Sequence, residues 1–243
     1  MIDDSESPAR SAEAKNAQPL ARKKIGLRVT IGVAVVLAIF FVPAGTLRWP
    51  QAWVFLSLYL SAVAGFFFWA KKKDPALLKE RASLQKYAKR WDRTLLRIYS
   101  VFLVAMLIVA GLDAIRFRWS YLPFGFNVLG FAGLVLAMLL VFWVMRENTF
   151  ASSVVRIQTD RGHRVCSTGP YRYVRHPMYV AVILSVVCLP VALGSLFALI
   201  PAVVVVGLFV LRTALEDKTL QEELPGYKEY AQKVRFRLIP GVW

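Results

Sequence analysis

Long apolar segments separated by short polar ones dominate the chain of 243 residues. Four of the segments have roughly the 17–25 residues that a helix needs to cross the hydrocarbon of a bilayer. They are residues 29–46, 52–70, 97–115 and 124–145. Trp53 and Trp69 lie near the ends of the second segment, where interfacial anchors are typical. The pattern predicts four membrane-spanning helices.

A fifth apolar segment, residues 178–212, is longer than one span and is interrupted by prolines and by Gly194-Ser195. Because backbone groups in lipid must find hydrogen-bond partners within the segment, we interpret it as a helical hairpin. Its helices would cover 177–193 and 196–212, with a tight turn between them. One long, tilted and kinked helix is the competing interpretation.

The positions of the basic residues favour the hairpin. All but three of the 31 Lys and Arg residues lie before the first span, within 71–97, within 146–175, or from residue 212 onward. Six spans place all four segments in the cytoplasm, whereas five would place the last one outside. We therefore predict an all-α, polytopic protein of the inner or plasma membrane. It has about six transmembrane helices, a C-terminal helical hairpin, a cytoplasmic C-terminal tail and both termini in the cytoplasm.

Two polar segments complete the organisation. Residues 1–27 have few apolar side chains and no periodicity, which predicts a disordered cytoplasmic tail, and residues 28–243 form a single membrane domain. The basic loop after the second span carries Leu77, Leu78 and Tyr87 beyond Pro75. This pattern indicates a helix lying in the headgroup layer, with a solvated charged loop as the alternative.

Composition narrows the function classes. The chain is 57% hydrophobic with a net charge of +16, but its basic residues lie between apolar segments, so they favour anionic lipid over nucleic acid as the partner. Cys166 and Cys188 have no metal-ligand spacing, so no metal site is predicted.

The densest polar cluster, GPYRYVRHPMYVA (residues 169–181), stands at the start of the hairpin. Pro177 suits the first position of a helix, which makes His176 the expected N-cap. The free amides of that helix, together with Arg172 and Arg175, could receive a carboxylate or a phosphate. Tyrosine rings in the cluster offer faces for a flat base or a cation. Alternatively, the arginines maintain topology and the tyrosines form an interfacial belt.

The other end of the hairpin carries Arg212, Glu216 and Asp217. Spacings of four and five residues place Arg212 near both acids on one helical face. A hairpin brings its two ends together, so these residues should neighbour Arg175 and His176. Ionisable groups converging at the membrane boundary indicate a functional site. A simple salt bridge at a helix end is the alternative for Arg212 and Glu216.

The motifs GPYRYVRHPMY, RTALEDKTL and GYKEYAQKVRFRLIP together resemble the isoprenylcysteine carboxyl methyltransferase family. That family belongs with the phospholipid methyltransferase-like integral membrane enzymes. The resemblance covers about residues 146–243, the expected cofactor-binding part of the domain. It implies an S-adenosylmethionine (SAM)-dependent methyltransferase that acts at the cytosol–membrane interface. Ala181 stands where the family usually has Gly, and Asp217 where Glu is common.

The resemblance also implies a set of site residues. The catalytic candidates are Arg212, Glu216 and Asp217. The cofactor-binding candidates are Gly169, Tyr171, Tyr173, Arg175, His176, Pro177, Tyr179 and Glu216. Arg175 and the helix start would anchor the methionine carboxylate of SAM, Glu216 would hold ribose hydroxyls or the adenine amine, and Arg212 would steer an anionic acceptor.

The acceptor stays open among lipophilic or small molecules: a prenylated thioether carboxylate, an aminophospholipid, a small thiol or another isoprenoid acid. One alternative function is an NADPH-dependent membrane reductase of the sterol type. Such reductases have Asn before the tyrosine of the motif and Glu after it, whereas this chain has Met178 and Val180-Ala181. The other alternative is a non-enzymatic scaffold or transport component. A transporter would carry polar groups near the middle of its spans. Here the spans are nearly free of ionisable residues, with Asp113 as the exception, so transport is disfavoured.

Overall fold

The computed structural model describes residues 8–82 and 89–243, and it contains no strand within those ranges. Within these residues, eight α-helices follow one another: α1 (Pro8–Ala44), α2 (Pro50–Lys73), α3 (Pro75–Ala82), α4 (Arg90–Gly111), α5 (Phe124–Glu147), α6 (Pro177–Leu193), α7 (Leu199–Glu223) and α8 (Tyr227–Lys233). Helix α4 continues into a π-helical turn, Leu112–Phe117. Two short 3₁₀ helices, Thr159–Arg161 and Gly169–Arg172, interrupt the connection between α5 and α6.

The predicted all-helical membrane architecture is confirmed. In the part of the chain that the structure describes, five helical segments are long and apolar enough to cross a bilayer, and α6 is a sixth, shorter apolar helix of 17 residues. Large apolar side chains are exposed along their outer faces, among them Val203 and Phe68, each 70% exposed. Such surface is stable in lipid rather than in water. The protein is therefore a multi-pass integral membrane protein.

The N-terminal segment differs from its prediction. Helix α1 begins at Pro8, so the part of the expected disordered tail from Pro8 to residue 27 is helical and continuous with the first span. That segment is rich in Ala, Lys and Arg, which are strong helix formers, and extending an existing helix avoids the cost of nucleation. Residues 1–7 lie outside the described ranges.

The helical hairpin is confirmed, and the single kinked helix is wrong. Helix α6 ends at Leu193, and Gly194 then adopts a left-handed conformation with a φ of +86°, which a glycine tolerates without steric cost. The amide of Asn127 on α5 donates hydrogen bonds to the carbonyls of Val191 and Ala192 at the end of α6, at 3.1 and 3.2 Å. Helix α7 begins three residues later than predicted, and it continues eleven residues further, to Glu223.

Small residues set the distance between α5 and α6. A Cβ atom added to Gly130 would lie 2.4 Å from the backbone nitrogen of Ala192, and one added to Gly133 would lie 2.3 Å from Sγ of Cys188. Close helix approach at small residues is a common packing mode in membranes. Helix α6 also packs against α7, which in turn packs against α4. Because α6 is held on both sides, its first turn and the last turns of α7 have fixed relative positions.

The helix predicted after Pro75 is present as α3. Leu77 on this helix is fully buried, which differs from the solvated-loop alternative. Tyr87 lies outside the described residues. Contact of α3 with headgroups remains a prediction.

Candidate active site

The two ends of the hairpin meet at what we call the hairpin base, where α6 begins and α7 ends. His176 is the N-cap of α6 and Pro177 its first residue, as predicted. Nε2 of His176 lies 3.2 Å from Oδ1 of Asp217 on α7. The predicted convergence of the first polar cluster with the acidic end of the second helix is therefore confirmed.

Asp217 organises the hairpin base. Its side chain is fully buried and accepts hydrogen bonds from Arg175 Nε at 2.7 Å, Arg175 Nη2 at 3.0 Å and Arg237 Nε at 2.9 Å. Gln221 and the hydroxyl of Tyr227 donate to the same carboxylate at 2.8 and 3.1 Å. A buried carboxylate is stable when it is paired and its lone pairs are satisfied, and both conditions hold here.

Arg175 is occupied by these contacts. Its Nη1 donates to the carbonyl oxygens of Val234 and Arg235, both at 2.8 Å, and Nε and Nη2 bind Asp217. Burial by itself would lower the pKa of Arg175, but the hydrogen bonds and charge of Asp217 outweigh burial and raise the pKa. Four of its five N–H donors are thus engaged by protein groups, so Arg175 is poorly placed to anchor the carboxylate of a ligand.

The segment that follows α8 completes this framework. The backbone amides of Arg175 and His176 donate to the carbonyls of Phe236 and Arg237 at 2.9 and 3.0 Å. The guanidinium carbon of Arg237 lies 5.0 Å from the ring centroid of Trp243. The chain segment from Val234 onward therefore holds the N-terminus of α6 in place.

Tyr179 connects the two helices on the other side of His176. Its ring lies parallel to the imidazole, with centroids 5.7 Å apart, and its hydroxyl donates a hydrogen bond to Oε2 of Glu216. The guanidinium carbon of Arg212 lies 5.1 Å from the Tyr179 ring centroid, a cation–π distance. Tyr179 therefore positions Glu216, and its own ring is held by the imidazole of His176 and the guanidinium of Arg212.

The alternative interpretation, a simple salt bridge between Arg212 and Glu216, is wrong. Arg212 instead binds Asp92 on α4, with Nε–Oδ1 and Nη2–Oδ2 distances of 2.7 and 3.2 Å. Helical spacing predicts which residues share a face of α7. It does not predict that a carboxylate on a neighbouring helix binds the guanidinium of Arg212. Asp92 is 120 residues away in the sequence, so local spacing could not identify it.

A small open pocket with a cavity volume of about 90 Å³ lies beside this framework. From the hairpin it is lined by Tyr171, Arg175, His176, Met178, Tyr179, Glu216 and Leu220. Residues 148–156, which we call the roof segment, line it with Asn148, Phe150, Ala151, Ser152, Val154, Val155 and Arg156. A second connecting segment, residues 163–166, and the side chains of Leu224 and Tyr227 complete the wall.

The pocket divides the predicted site residues into two groups. Tyr171, Arg175, His176, Tyr179 and Glu216 line it, whereas Arg212 and Asp217 lie behind its wall. Gly169, Tyr173 and Pro177 do not line it either. Gly169 has a φ of +56°, and an added Cβ would lie 2.5 Å from the Glu147 side chain, so its role is in the turn. Tyr173 is 64% exposed.

Both connecting segments were missed as pocket walls, because their polar residues resemble an ordinary loop in the sequence. The two segments contact each other through His163. Its ring packs on that of Phe150 with the centroids 4.8 Å apart. Its Nδ1 accepts a hydrogen bond from the backbone amide of Gln158 at 3.3 Å. Burial, together with the charges of Arg156 and Arg161, lowers the pKa of His163 to about 4. The imidazole is therefore neutral at physiological pH.

Tyr171 joins the roof segment to the hairpin. Its hydroxyl accepts a hydrogen bond from Asn148 at 2.9 Å, and its carbonyl accepts one from the hydroxyl of Tyr230 at 2.7 Å. Burial raises the pKa of Tyr171, so the phenol stays protonated. Among the described residues, no group of three or more His, Cys, Asp or Glu side chains could hold a metal ion.

Comparison with known proteins identifies a family for the part of the chain that builds this pocket. Residues 128–222 match the model of the isoprenylcysteine carboxyl methyltransferase (ICMT) family. This match confirms the resemblance seen in the sequence motifs, and it supports a membrane methyltransferase. A search of curated proteins finds no match to the chain.

Proposed function

We propose that this protein is a SAM-dependent methyltransferase that binds SAM in the pocket at the hairpin base and methylates a lipophilic or small acceptor at the membrane boundary. The observation that carries the proposal is the convergence of His176, Tyr179 and Glu216 on one open pocket within the ICMT-like segment. The pocket lies where two apolar helices end, so a polar donor and a lipid-soluble acceptor can both reach it.

The residues present fit SAM by their chemistry. The ligand has a flat base, hydroxyl groups and a cationic centre, and the pocket offers aromatic rings, a carboxylate and backbone groups of the roof segment. Glu216 uses Oε2 to accept from Tyr179, and its other oxygen is available for a hydroxyl or an amine. We assign Glu216 and Tyr179 as the principal SAM-binding residues, with Tyr171 and His176 beside them.

The predicted roles of the other candidates are revised. Arg175 lines the pocket, but its donors are engaged by Asp217 and by backbone carbonyls, and Asp217 and Arg212 lie behind the wall. We therefore assign all three to positioning rather than to direct contact with the ligand. The carboxylate of SAM would then be received by other donors that line the pocket, for example Arg164.

Methyl transfer makes modest chemical demands on the protein. Bound SAM supplies an activated methyl group, so the chain needs no nucleophile of its own. The contribution of Tyr179 and Glu216 is to hold the donor in one orientation, and that of the roof segment is to exclude water. The acceptor could be a carboxylate, a phospholipid amine or a thiol. We place the hairpin base and both termini in the cytoplasm, since nearly all basic residues lie at that end.

A binding experiment with matched carboxylates tests the proposal. The full chain in detergent is titrated with SAM by calorimetry, and with NADPH in a parallel titration. We expect SAM to bind and Glu216→Gln to weaken binding about tenfold, because a charge-assisted hydrogen bond is worth about 1.5–3 kcal/mol. Glu222→Gln on the same helix is the control, since that side chain is 57% exposed and pairs with Lys218. Equal effects of the two substitutions, or binding of NADPH instead of SAM, would refute the proposal.

Turnover is measured separately with tritiated SAM. Candidate acceptors are lipid extracts, isoprenoid carboxylates and small thiols, and transfer of label to any one of them identifies the acceptor class. Absence of transfer to every acceptor, in protein that binds SAM, would contradict the methyltransferase assignment.

A further inference from the structure

A buried carboxylate outside the pocket controls the shape of its roof. Asp92 lies in the first turn of α4, its side chain is fully buried, and it is not among the pocket-lining residues. We propose that Asp92 is a positioning residue: through Arg212 and the roof segment it holds the pocket in its binding conformation. The proposal rests on the proposed function, because it assigns to SAM the site that Asp92 shapes.

The first connection is the ion pair with Arg212. Two nitrogens of the guanidinium bind the two oxygens of Asp92, at 2.7 and 3.2 Å. This fork-to-fork geometry fixes the plane of the guanidinium. Arg212 in turn lies over the Tyr179 ring, and Tyr179 donates to Glu216. Asp92 thus reaches the pocket carboxylate through three consecutive contacts.

The second connection is to the backbone of the roof. Oδ2 of Asp92 accepts a hydrogen bond from the amide of Val155 at 2.8 Å, and Nη2 of Arg212 donates to the carbonyl of Ser153 at 2.9 Å. One ion pair therefore holds two backbone groups in the middle of the roof segment. Val155 is a pocket-lining residue, so any movement at Asp92 changes the pocket directly.

Other contacts attach the roof on either side of these two groups. Arg81 on α3 donates to the carbonyl of Ala151 at 3.0 Å, and Arg156 pairs with Glu80 at 2.8 Å. These contacts come from α3, whereas Asp92 and Arg212 come from two membrane helices. Asp92 therefore connects the roof to the transmembrane bundle, and we expect the α3 contacts alone to leave residues 153–155 freer to shift.

Cys166 provides a readout that does not depend on turnover. This thiol lines the pocket, and the chain has two cysteines. The other, Cys188, is packed against Gly133 and can be replaced by Ala. In a Cys188→Ala background, the rate of Cys166 alkylation by N-ethylmaleimide reports on how open the pocket is.

The test compares Asp92→Asn with Asp113→Asn. Both replace a fully buried carboxylate by its amide, and the second lies at the opposite end of the same helical segment. We expect Asp92→Asn to raise the alkylation rate at least about fivefold and to weaken SAM binding at least about tenfold, because small displacements of a preorganised site cost about that much or more. For Asp113→Asn we expect both quantities to stay within about twofold of the parent protein, because its contacts are remote from the pocket.

The outcomes separate this proposal from the proposed function. A folded Asp92→Asn protein with parental alkylation rate and SAM affinity would overturn the positioning role. If the parent protein binds no SAM, the proposed function fails, and the alkylation rates still test the role of Asp92. If Asp92→Asn does not fold, Asp92→Asn/Arg212→Gln removes the unpaired charge as well, and a parental alkylation rate in that protein would overturn the proposal.

Discussion

Two buried aspartates at opposite ends of the helical bundle are stabilised in different ways. Asp113, beside the turn of the hairpin, accepts only from neutral groups: the Ser120 and Ser195 hydroxyls, each at 2.6 Å, and the amides of Ser120 and Phe197 at 2.7 and 3.1 Å. Asp217, at the hairpin base, binds two arginines and a histidine in addition to its neutral donors.

The different surroundings of these two carboxylates indicate different roles for Asp113 and Asp217. At the Asp113 end, the donors are Ser120, which follows the π-helical turn, and Ser195 and Phe197 in the turn between α6 and α7, so one carboxylate joins the end of α4 to the hairpin turn. At the Asp217 end, positive and negative groups are concentrated around an open pocket, which is a typical arrangement for a functional site. The comparison shows that burial of a carboxylate alone does not identify a site; the charged neighbours and the adjacent cavity do.

The largest effect is expected for Asp217→Asn. It leaves Arg175 and Arg237 without their carboxylate, and removing one partner of a buried ion pair costs about 3–5 kcal/mol. We expect a large fall in the midpoint of thermal unfolding and loss of SAM binding, measured by fluorescence melting and calorimetry. A melting temperature close to that of the wild-type protein would show that the hairpin base does not depend on this carboxylate.

Asp113→Asn should have a smaller effect of a different kind. The amide retains one acceptor oxygen but presents N–H groups to donors, so we expect a loss of about 2 kcal/mol in the free energy of unfolding. SAM affinity should be unchanged, because no contact of Asp113 reaches the pocket. A substantial loss of SAM affinity in folded Asp113→Asn protein would contradict the distinction between the Asp113 and Asp217 ends of the bundle.

Tyr179→Phe sharpens the comparison within the hairpin base. The substitution keeps the ring against His176 and Arg212 and removes the hydrogen bond to Glu216, so we expect SAM affinity to fall about fivefold, equivalent to about 1 kcal/mol. Tyr173→Phe is the matched control, because Tyr173 is exposed and lies outside the pocket. Indistinguishable titrations for the two variants would contradict the role of the Tyr179 hydroxyl.

A pH-dependent effect is expected from His163. The pKa of His163 is lowered to about 4 in the folded protein from an ordinary value of 6.5, so the unfolded chain binds a proton first as the pH falls. The contribution of His163 to stability is therefore fully present above pH 6.5 and is lost between pH 6.5 and 4. We expect the melting temperature to fall over that interval, and His163→Asn to reduce the slope. An unchanged slope in the variant would exclude His163 as its cause.

Prediction from the sequence worked where the physical cause is local. The length of apolar segments predicted the spans, Pro177 predicted the N-cap at His176, and Gly194 predicted the turn of the hairpin. The meeting of His176 with the acidic end of α7 followed from the hairpin itself. Each of these inferences depends on residues close together in the chain. The bilayer further limits which backbone structures an apolar segment can adopt.

Prediction failed where partners come from distant helices. The pairing of Arg212 with Asp92 depends on the packing of α4 against α7, and the occupation of Arg175 depends on the segment after α8. The pocket walls at 148–156 and 163–166 have no regular pattern that could mark them.

The apolar and basic patterns of the sequence by themselves determined that this is a multi-helix membrane protein with a hairpin whose polar ends meet. Its motifs determined the resemblance to the ICMT family. The tertiary structure alone decided which charged groups pair with each other and which side chains face the pocket. The physical reason is that a buried guanidinium selects its carboxylate by geometry in three dimensions, and several candidates lie within reach of each arginine.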